Sequence, residues 1–216
     1  MNISTIIEYM KLYLVRHGES MMNAQNIHQH SEIDLSEQGV SQAERVAKRV
    51  EHIPFDLIMA SPFNRAKKTA EIISQHIKIP LVINDLLREI KRPTEIEGKN
   101  IDSPEVIKIK NTILDNWHNS NYRHSDEETF YEFKNRAQTI VREIEDLKLE
   151  HILLVTHGDL IKVLICLLAF SESLVPDQLK ILRKFLHLDN TGITICEYKD
   201  HKWKLISWND CAHISQ

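Results

Sequence analysis

The chain has 216 residues, 42% hydrophobic and 27% charged, with only five Gly and six Pro. That length allows one full domain or two small ones with a real core, and the composition excludes disorder, collagen-like repeats and low-complexity linkers. Lys and Arg total 27 against 31 Asp and Glu, a net charge of −4, so no broad basic surface for nucleic acid or membrane is expected, while a local cationic cluster for a small polyanion is still allowed.

Residues 1–10 match no pattern and read as a short N-terminal extension. Glu8 and Lys11 interrupt its apolar residues and no small-residue cleavage site follows, so no signal peptide is expected. Apolar β-rich runs occur at Lys11–Arg16, Leu57–Ala60, Leu81–Ile83, Ile152–Thr156, Gly192–Tyr198 and Trp203–Trp208. Helical spacing lies between them at Gln38–Ile53, Asn64–Ile77, Ser103–Asn119, Asp126–Leu149, Leu160–Phe170 and Pro176–Lys184. Short buried-type strands alternating with helices predict a single α/β domain over residues 11–213. Its expected form is a three-layer sandwich, with helices on both faces of a mostly parallel central sheet. The last two runs can pair across Lys199-Asp200-His201, which adds an antiparallel edge strand. Residues 91–129 form an insertion between the third and fourth strands. Pro93, Gly98, Pro104 and the polar stretch His118–Glu128 make it either a lid or a solvated surface excursion.

The longest apolar stretch, Leu160–Phe170, contains Lys162 and falls well short of the roughly 20 residues a membrane-spanning helix needs. Cys166, Cys196 and Cys211 form no close pair, and two of them sit in apolar runs. Free thiols and a reducing, cytoplasmic setting are expected.

One internal echo carries the chemistry. Leu14-Val15-Arg16-His17-Gly18 and Leu154-Val155-Thr156-His157-Gly158 share the pattern Leu-Val-x-His-Gly. Each places a His where an apolar strand ends, with a Gly to permit the turn. If the strands are parallel neighbours, both imidazoles project at the ligand-binding rim of the sheet. Metal binding is disfavoured, because there is no His-Glu-x-x-His motif and no Cys/His cluster. Phosphoryl chemistry fits better: Arg16 precedes His17, and Arg65 falls in the first turn of a helix that follows the strand ending near Ser61. Guanidiniums donate planar pairs of N–H groups to phosphoryl oxygens. Phosphate-binding loops of the nucleotide type are absent. Ser61 reads as a helix cap, Glu19 and Ser20 as turn residues, His28 and His30 as surface loop histidines, and Cys166 as core. Asp34 has no partners for a hydrolase triad.

Arg16-His17-Gly18-Glu19-Ser20 with Asn23, Asp34 to Gly39, Ser61 with Arg65-Ala66 and Thr69-Ala70, Leu87-Arg88-Glu89, and Thr156-His157-Gly158 occur in that order. Together they resemble the histidine phosphatase (phosphoglycerate mutase-like) superfamily, and the resemblance spans nearly the whole chain, including the ending Trp208 to His213. It implies that His17 is a nucleophile that forms a phosphohistidine. Arg16, Arg65 and His157 would stabilise the phosphoryl oxygens, and Glu89 would donate a proton to the leaving oxygen. Asn23 and the backbone N–H of Gly158 would be further donors to substrate. No cofactor and no metal are implied, and the partner is a small phosphorylated substrate.

Mutases of that superfamily carry Glu-Arg-x-Tyr-Gly after the acid, where this chain has Glu89-Ile90-Lys91-Arg92-Pro93. The Gly-x-Trp-Glu-Gly variant of several phosphatase branches is altered to Thr94-Glu95-Ile96-Glu97-Gly98. Phosphomonoester hydrolysis is therefore the reading, with a phosphoglycerate mutase as the alternative and a catalytically silent phospho-ligand-binding scaffold as the alternative from another class. Lys91, Arg92, Lys99, Lys108 and Lys110 make the first half of the insertion basic. They either form a solvated face or supply one or two contacts to a second acidic group on the substrate.

Overall fold

Apolar residues alternate through β1 (Tyr9–Arg16), burying Met10, Leu12 and Leu14 on one face and Tyr13 and Val15 on the other. The computed structural model describes residues 9–214. Tyr9 and Met10 thus belong to the sheet rather than to an extension, and residues 1–8 of the expected extension lie outside the described residues. After β1 come α1 (Met21–Ala24), α2 (Glu37–Val50), β2 (Leu57–Ala60), α3 (Asn64–Ile77) and β3 (Leu81–Ile83). The insertion contributes one short 3₁₀ turn, Thr94–Ile96, and α4 (Pro104–Asp115). The chain continues through α5 (Phe130–Leu147), β4 (His151–Thr156), α6 (Gly158–Phe170), α7 (Pro176–Phe185), β5 (Ile193–Lys199) and β6 (Lys202–Asp210).

All six strands lie in one sheet of order β3-β2-β4-β1-β5-β6. β3, β2, β4 and β1 pair in parallel, and β5 runs antiparallel to both β1 and β6. The antiparallel edge therefore comes from the β5–β6 hairpin. Its two-residue turn has Asp200 and His201 both at positive φ, 51° and 59°, the backbone sense that matches the twist of paired strands. Two apolar clusters cover the two faces. α2 and α3 pack Val46, Ala47, Ala66, Ala70 and Ile73 against Tyr13, Val15, Leu153 and Val155. α5, α6 and α7 pack Phe133, Ile140, Leu164 and Leu179 against Leu12, Leu14, Ile152 and Leu154. This is the expected three-layer sandwich.

Helix boundaries differ from the periodicity where caps decide them. α5 begins at Phe130 because Thr129 and Glu132 form a reciprocal capping box, and Asp126 is instead engaged by the Thr94 backbone N–H at 2.9 Å and by Lys91 at 3.0 Å. α6 begins at Gly158, directly after His157, and not at Leu160. Short α1, capped by Ser20, has no apolar pattern to announce it.

The Gly after each His also differs from expectation, since neither Gly18 nor Gly158 takes a positive φ. Gly18 is required by space: a Cβ there would fall 2.5 Å from the Gly39 carbonyl oxygen, and a Cβ on Gly39 would fall 1.9 Å from that of Glu19. The turn after β1 and the start of α2 are packed backbone to backbone. At Gly158 there is room, the nearest atom being Arg16 Nε at 3.7 Å. Gly39→Ala is expected to cost about 1–3 kcal/mol through this overpacking, read as a lower denaturation midpoint, whereas Gly158→Ala should be tolerated far better.

Candidate active site

Leu14 pairs with Leu154, Val15 with Val155 and Arg16 with Thr156. The two Leu-Val-x-His-Gly segments are therefore in register, residue for residue, and both strands stop at the same level of the sheet. His17 and His157 emerge side by side, with ring centroids 5.1 Å apart and planes inclined at 59°. β2 ends one row away, where the Ser61 N–H donates to the Val155 carbonyl at 3.1 Å. From there the chain turns into α3 and delivers Arg65 to the same rim.

His17 is buried, and its Nδ1 lies 2.7 Å from the Gly18 carbonyl oxygen. Only an N–H can bridge that pair, so the proton sits on Nδ1 and Nε2 carries the lone pair. Arg65 Nε donates to His17 Nε2 at 3.3 Å. Burial, and then the Arg65 and Arg16 guanidiniums, hold the His17 pKa well below its ordinary value, which keeps the ring neutral. His157 is lowered in the same way, by burial first and Arg65 next. Its Nε2 meets Ser61 Oγ at 2.8 Å and its Nδ1 has no partner. Arg16 donates through Nη1 to the Leu188 carbonyl at 2.6 Å, and its buried Nε is likewise unpartnered. Arg65 is fixed by the His30 carbonyl at 3.0 Å, and burial brings its pKa down to about 10.

Glu89 closes the opposite side at the N-terminus of α6. One carboxylate oxygen accepts from the N–H groups of Ile90 (2.9 Å) and Leu160 (3.2 Å), and the other from that of Asp159 (3.1 Å). A helix N-terminus favours an anion. Burial works the other way and, with the neighbouring Asp159 charge, raises the Glu89 pKa above its usual value. The backbone leading to Glu89 is bolted down. Arg136 Nη1 donates to the carbonyls of Leu86 (2.6 Å) and Arg88 (2.8 Å), and Thr156 Oγ1 donates to that of Leu87 (2.6 Å). Arg136 is itself clamped by Glu128 through two 2.7 Å contacts.

These groups line a cleft of about 540 Å³. Arg16, His17, Arg65, Glu89 and Gly158 all line it, and His157, fully buried, lies beside His17. Gly158 opens α6, so its N–H has no partner within the helix. Asn23 is not brought to the cleft: its Oδ1 accepts from the Ser20 N–H in the cap of α1. Ser61 does not cap α3, whose N-cap is Phe63, and binds His157 instead. The insertion forms one wall through Lys91, Arg92, Ile96, Glu97, Ile101 and Lys110. Its polar stretch is not wholly solvated, since Glu127 and Glu128 are buried.

Sequence reasoning missed three groups. His28 is not a surface residue; it is buried in the cleft wall with Nε2 unpartnered. The loop before β5 holds the His17 backbone, with Asn190 Nδ2 donating to the His17 carbonyl at 2.8 Å. Asp159 is gripped by Arg183 at 2.8 Å and by Arg92. Only Asn190-Thr191-Gly192, a polar turn between apolar runs, offered any signal. The other two depend on loops whose pairing no local pattern records.

This arrangement, two buried imidazoles beside guanidiniums at one rim of the sheet, suits the binding of a phosphoryl group. The chain belongs to the histidine phosphatase superfamily (branch 1), whose family model matches residues 12–211. It is 30% identical over 211 residues to "Putative phosphoserine phosphatase 2" of Hydrogenobacter thermophilus, covering 95% of this chain and 98% of that protein. It is 28% identical over 222 residues to "Probable phosphoglycerate mutase GpmB" of Escherichia coli, with 95% of each chain covered. Among solved structures, a phosphoserine phosphatase from Entamoeba histolytica in complex with phosphoserine is 25% identical, with a TM-score of 0.77 over 95% of this chain and 99% of that one.

Arg136→Gln leaves Glu128 buried without its partner and frees the carbonyls of Leu86 and Arg88. The expected cost is about 3–5 kcal/mol, seen as a fall in the urea midpoint, with Arg136→Lys intermediate because an ammonium lacks the planar fork.

Proposed function

We propose that this protein is a phosphatase for small phosphomonoesters that works through a phosphohistidine on His17. The observation that carries the reading is the Nδ1–Gly18 contact, which leaves His17 Nε2 as a neutral lone pair beside Arg65. Nε2 attacks phosphorus as the ester P–O bond breaks, and Glu89 passes its proton to the leaving oxygen. Water then gives a proton to Glu89 and attacks phosphorus, the N–P bond breaks, and phosphate departs. Arg16, Arg65, His157 and the Gly158 N–H hold the three equatorial oxygens, where phosphoryl transfer chiefly needs positioning and charge compensation. The unpartnered Arg16 Nε and His157 Nδ1 are the free donors for this task. Ser61, by donating its O–H to His157 Nε2, would keep the proton on Nδ1.

The reaction needs no metal in this scheme, and residues 11–213 act as one domain with 91–129 as its substrate-facing wall. The names of the relatives favour small phosphorylated metabolites such as phosphoserine. Among the described residues no helix is long and apolar enough to cross a membrane. With Cys166, Cys196 and Cys211 all free thiols, we place the protein in the cytoplasm.

Acid quenching during turnover should trap the phosphoryl group on His17, located by mass spectrometry. His17→Ala should lower kcat/KM by about 10³-fold or more. Turnover should persist in EDTA and without a bisphosphate primer; an absolute primer requirement would favour the mutase. The raised Glu89 pKa sets the sign of the pH dependence. The acid form survives above the ordinary carboxylate range, so esters with poor leaving groups lose rate as pH rises through that pKa. The depressed His17 pKa removes any acid limb near 6.5. Glu89→Gln should abolish the alkaline limb and slow alkyl phosphates by about 10²–10⁴-fold, but slow nitrophenyl phosphate, whose leaving group needs little protonation, far less.

A further inference from the structure

Seven basic side chains line the cleft (Arg16, Arg65, Arg88, Lys91, Arg92, Lys110 and Lys162) against three acidic ones, Glu89, Glu97 and Asp159. Several of the basic groups are already matched. Lys91 pairs with Asp126 at 3.0 Å, Arg88 approaches Glu128 at 3.8 Å, and Arg92 binds Asp159. Arg16 and Arg65 flank His17 and belong to the phosphoryl group. Among the described residues, Lys110 and Lys162 have no carboxylate within 4 Å. Lys162 donates only to the Arg183 carbonyl, at 3.2 Å. Beside them, His28 is 8% exposed and offers a buried Nε2 with no partner.

Two members of this second group, His28 and Lys110, feel different charges from the first. Arg92 and Asp159 act on both of them, whereas Arg65 and Arg16 act on both His17 and His157. Lys162 feels both sets. Asp159 does not make the region acidic, because two guanidiniums hold it and the trio carries a net positive charge. The wall is also built. The His28 N–H donates to the Lys99 carbonyl and the Gly98 N–H to that of His28, both at 2.9 Å. Ile27 bridges to Asn100, so the loop bearing His28 is stitched to the start of the insertion.

We propose that His28 and Lys110, with Lys162 beside them, form a carboxylate subsite. The substrate is then a small phosphomonoester whose leaving group carries a carboxylate. A second phosphate fits the chemistry less well, since a dianion favours bidentate guanidinium forks. Of the cleft arginines outside the phosphoryl group, Arg92 is engaged on Asp159, which Arg183 also holds, and Arg88 donates to the Asp85 carbonyl and approaches Glu128. What is left, the Lys110 and Lys162 ammoniums and an imidazole N–H, matches the two acceptor oxygens of a carboxylate without a guanidinium fork. Burial keeps His28 neutral, with a pKa down to about 4, so it donates a hydrogen bond without adding another cation beside Lys110.

This inference rests on the phosphatase reading, and the experiment separates the two. Wild type, Lys110→Met, Lys110→Arg and His28→Leu are compared on nitrophenyl phosphate, on 3-phosphoglycerate and phosphoserine, and on glycerol phosphate and phosphoethanolamine as partners lacking the acid. The acids should be favoured over their partners by about tenfold or more in kcat/KM, the range of a charge-assisted contact. Lys110→Met and His28→Leu should cut that ratio by a similar factor, mainly through KM, and Lys110→Arg should keep much of it. A ratio near one in wild type, or one that Lys110→Met leaves unchanged, overturns the subsite; a preference for bisphosphates over the acids overturns the carboxylate assignment. No turnover of any ester, nitrophenyl phosphate included, sinks the phosphatase reading instead. The subsite is then decided by calorimetry on His17→Ala: 3-phosphoglycerate must bind about tenfold more tightly than glycerol phosphate, and equal affinity overturns it.

Discussion

The pairing of β1 with β4 governs the site. A parallel ladder fixes register through evenly spaced hydrogen bonds, and here it aligns Arg16 with Thr156, so that two histidines far apart in the chain leave the sheet together. A slip of one residue would turn Leu12 and Leu14 toward the opposite helical layer. Apolar alternation on both faces therefore enforces the spacing of the two histidines. The same packing that buries Leu14 and Leu154 brings the His17 and His157 rings to 5.1 Å.

Around that pair, the supporting contacts are backbone contacts. Gly18, Leu86, Leu87, Arg88 and Leu188 each present a carbonyl to Arg136, Thr156, Arg16 or His17. A carbonyl is available at every residue, so such contacts place few demands on the sequence of the loops. They do place strong demands on the donors. Arg136 reaches two carbonyls and Glu128 at once, which a lysine's compact ammonium does not reproduce.

This explains which parts were legible. The strands were readable because β1, β4 and β2 are buried on both faces and appear as continuous apolar runs. The paired His-Gly segments were readable because register turned a sequence echo into a spatial one. Arg65 was readable from its place in the first turn after a strand. His28 was not, because its burial depends on the pairing of residues 26–28 with 98–101 across two loops. Ser61 was misread because its role depends on β2 ending beside β4, which strand order decides and sequence order hides. Asn23 was carried by resemblance, and in the structure its Oδ1 accepts from the Ser20 N–H in the cap of α1. The Asp159 clamp joins three segments, two of them outside any motif.

The electrostatics of the site follow from one choice, to place a neutral imidazole among cations. Desolvation and the Arg65 and Arg16 charges act in the same direction on His17, and both disfavour its protonation. The guanidiniums that would balance a phosphoryl dianion thus also keep the His17 imidazole unprotonated. Glu89 is pushed the other way: burial, with the Asp159 charge close by, raises its pKa above the usual carboxylate value and favours the protonated form. Asp159 does this without becoming a general repellent for anions, because Arg92 and Arg183 hold it. The N-terminus of α6 accordingly carries two carboxyl groups with opposite tendencies, one clamped by arginines and one held by amides alone. Separating two neighbouring acids in this way would let one of them shuttle a proton, as the proposed reaction requires, while the other serves the walls of the cleft.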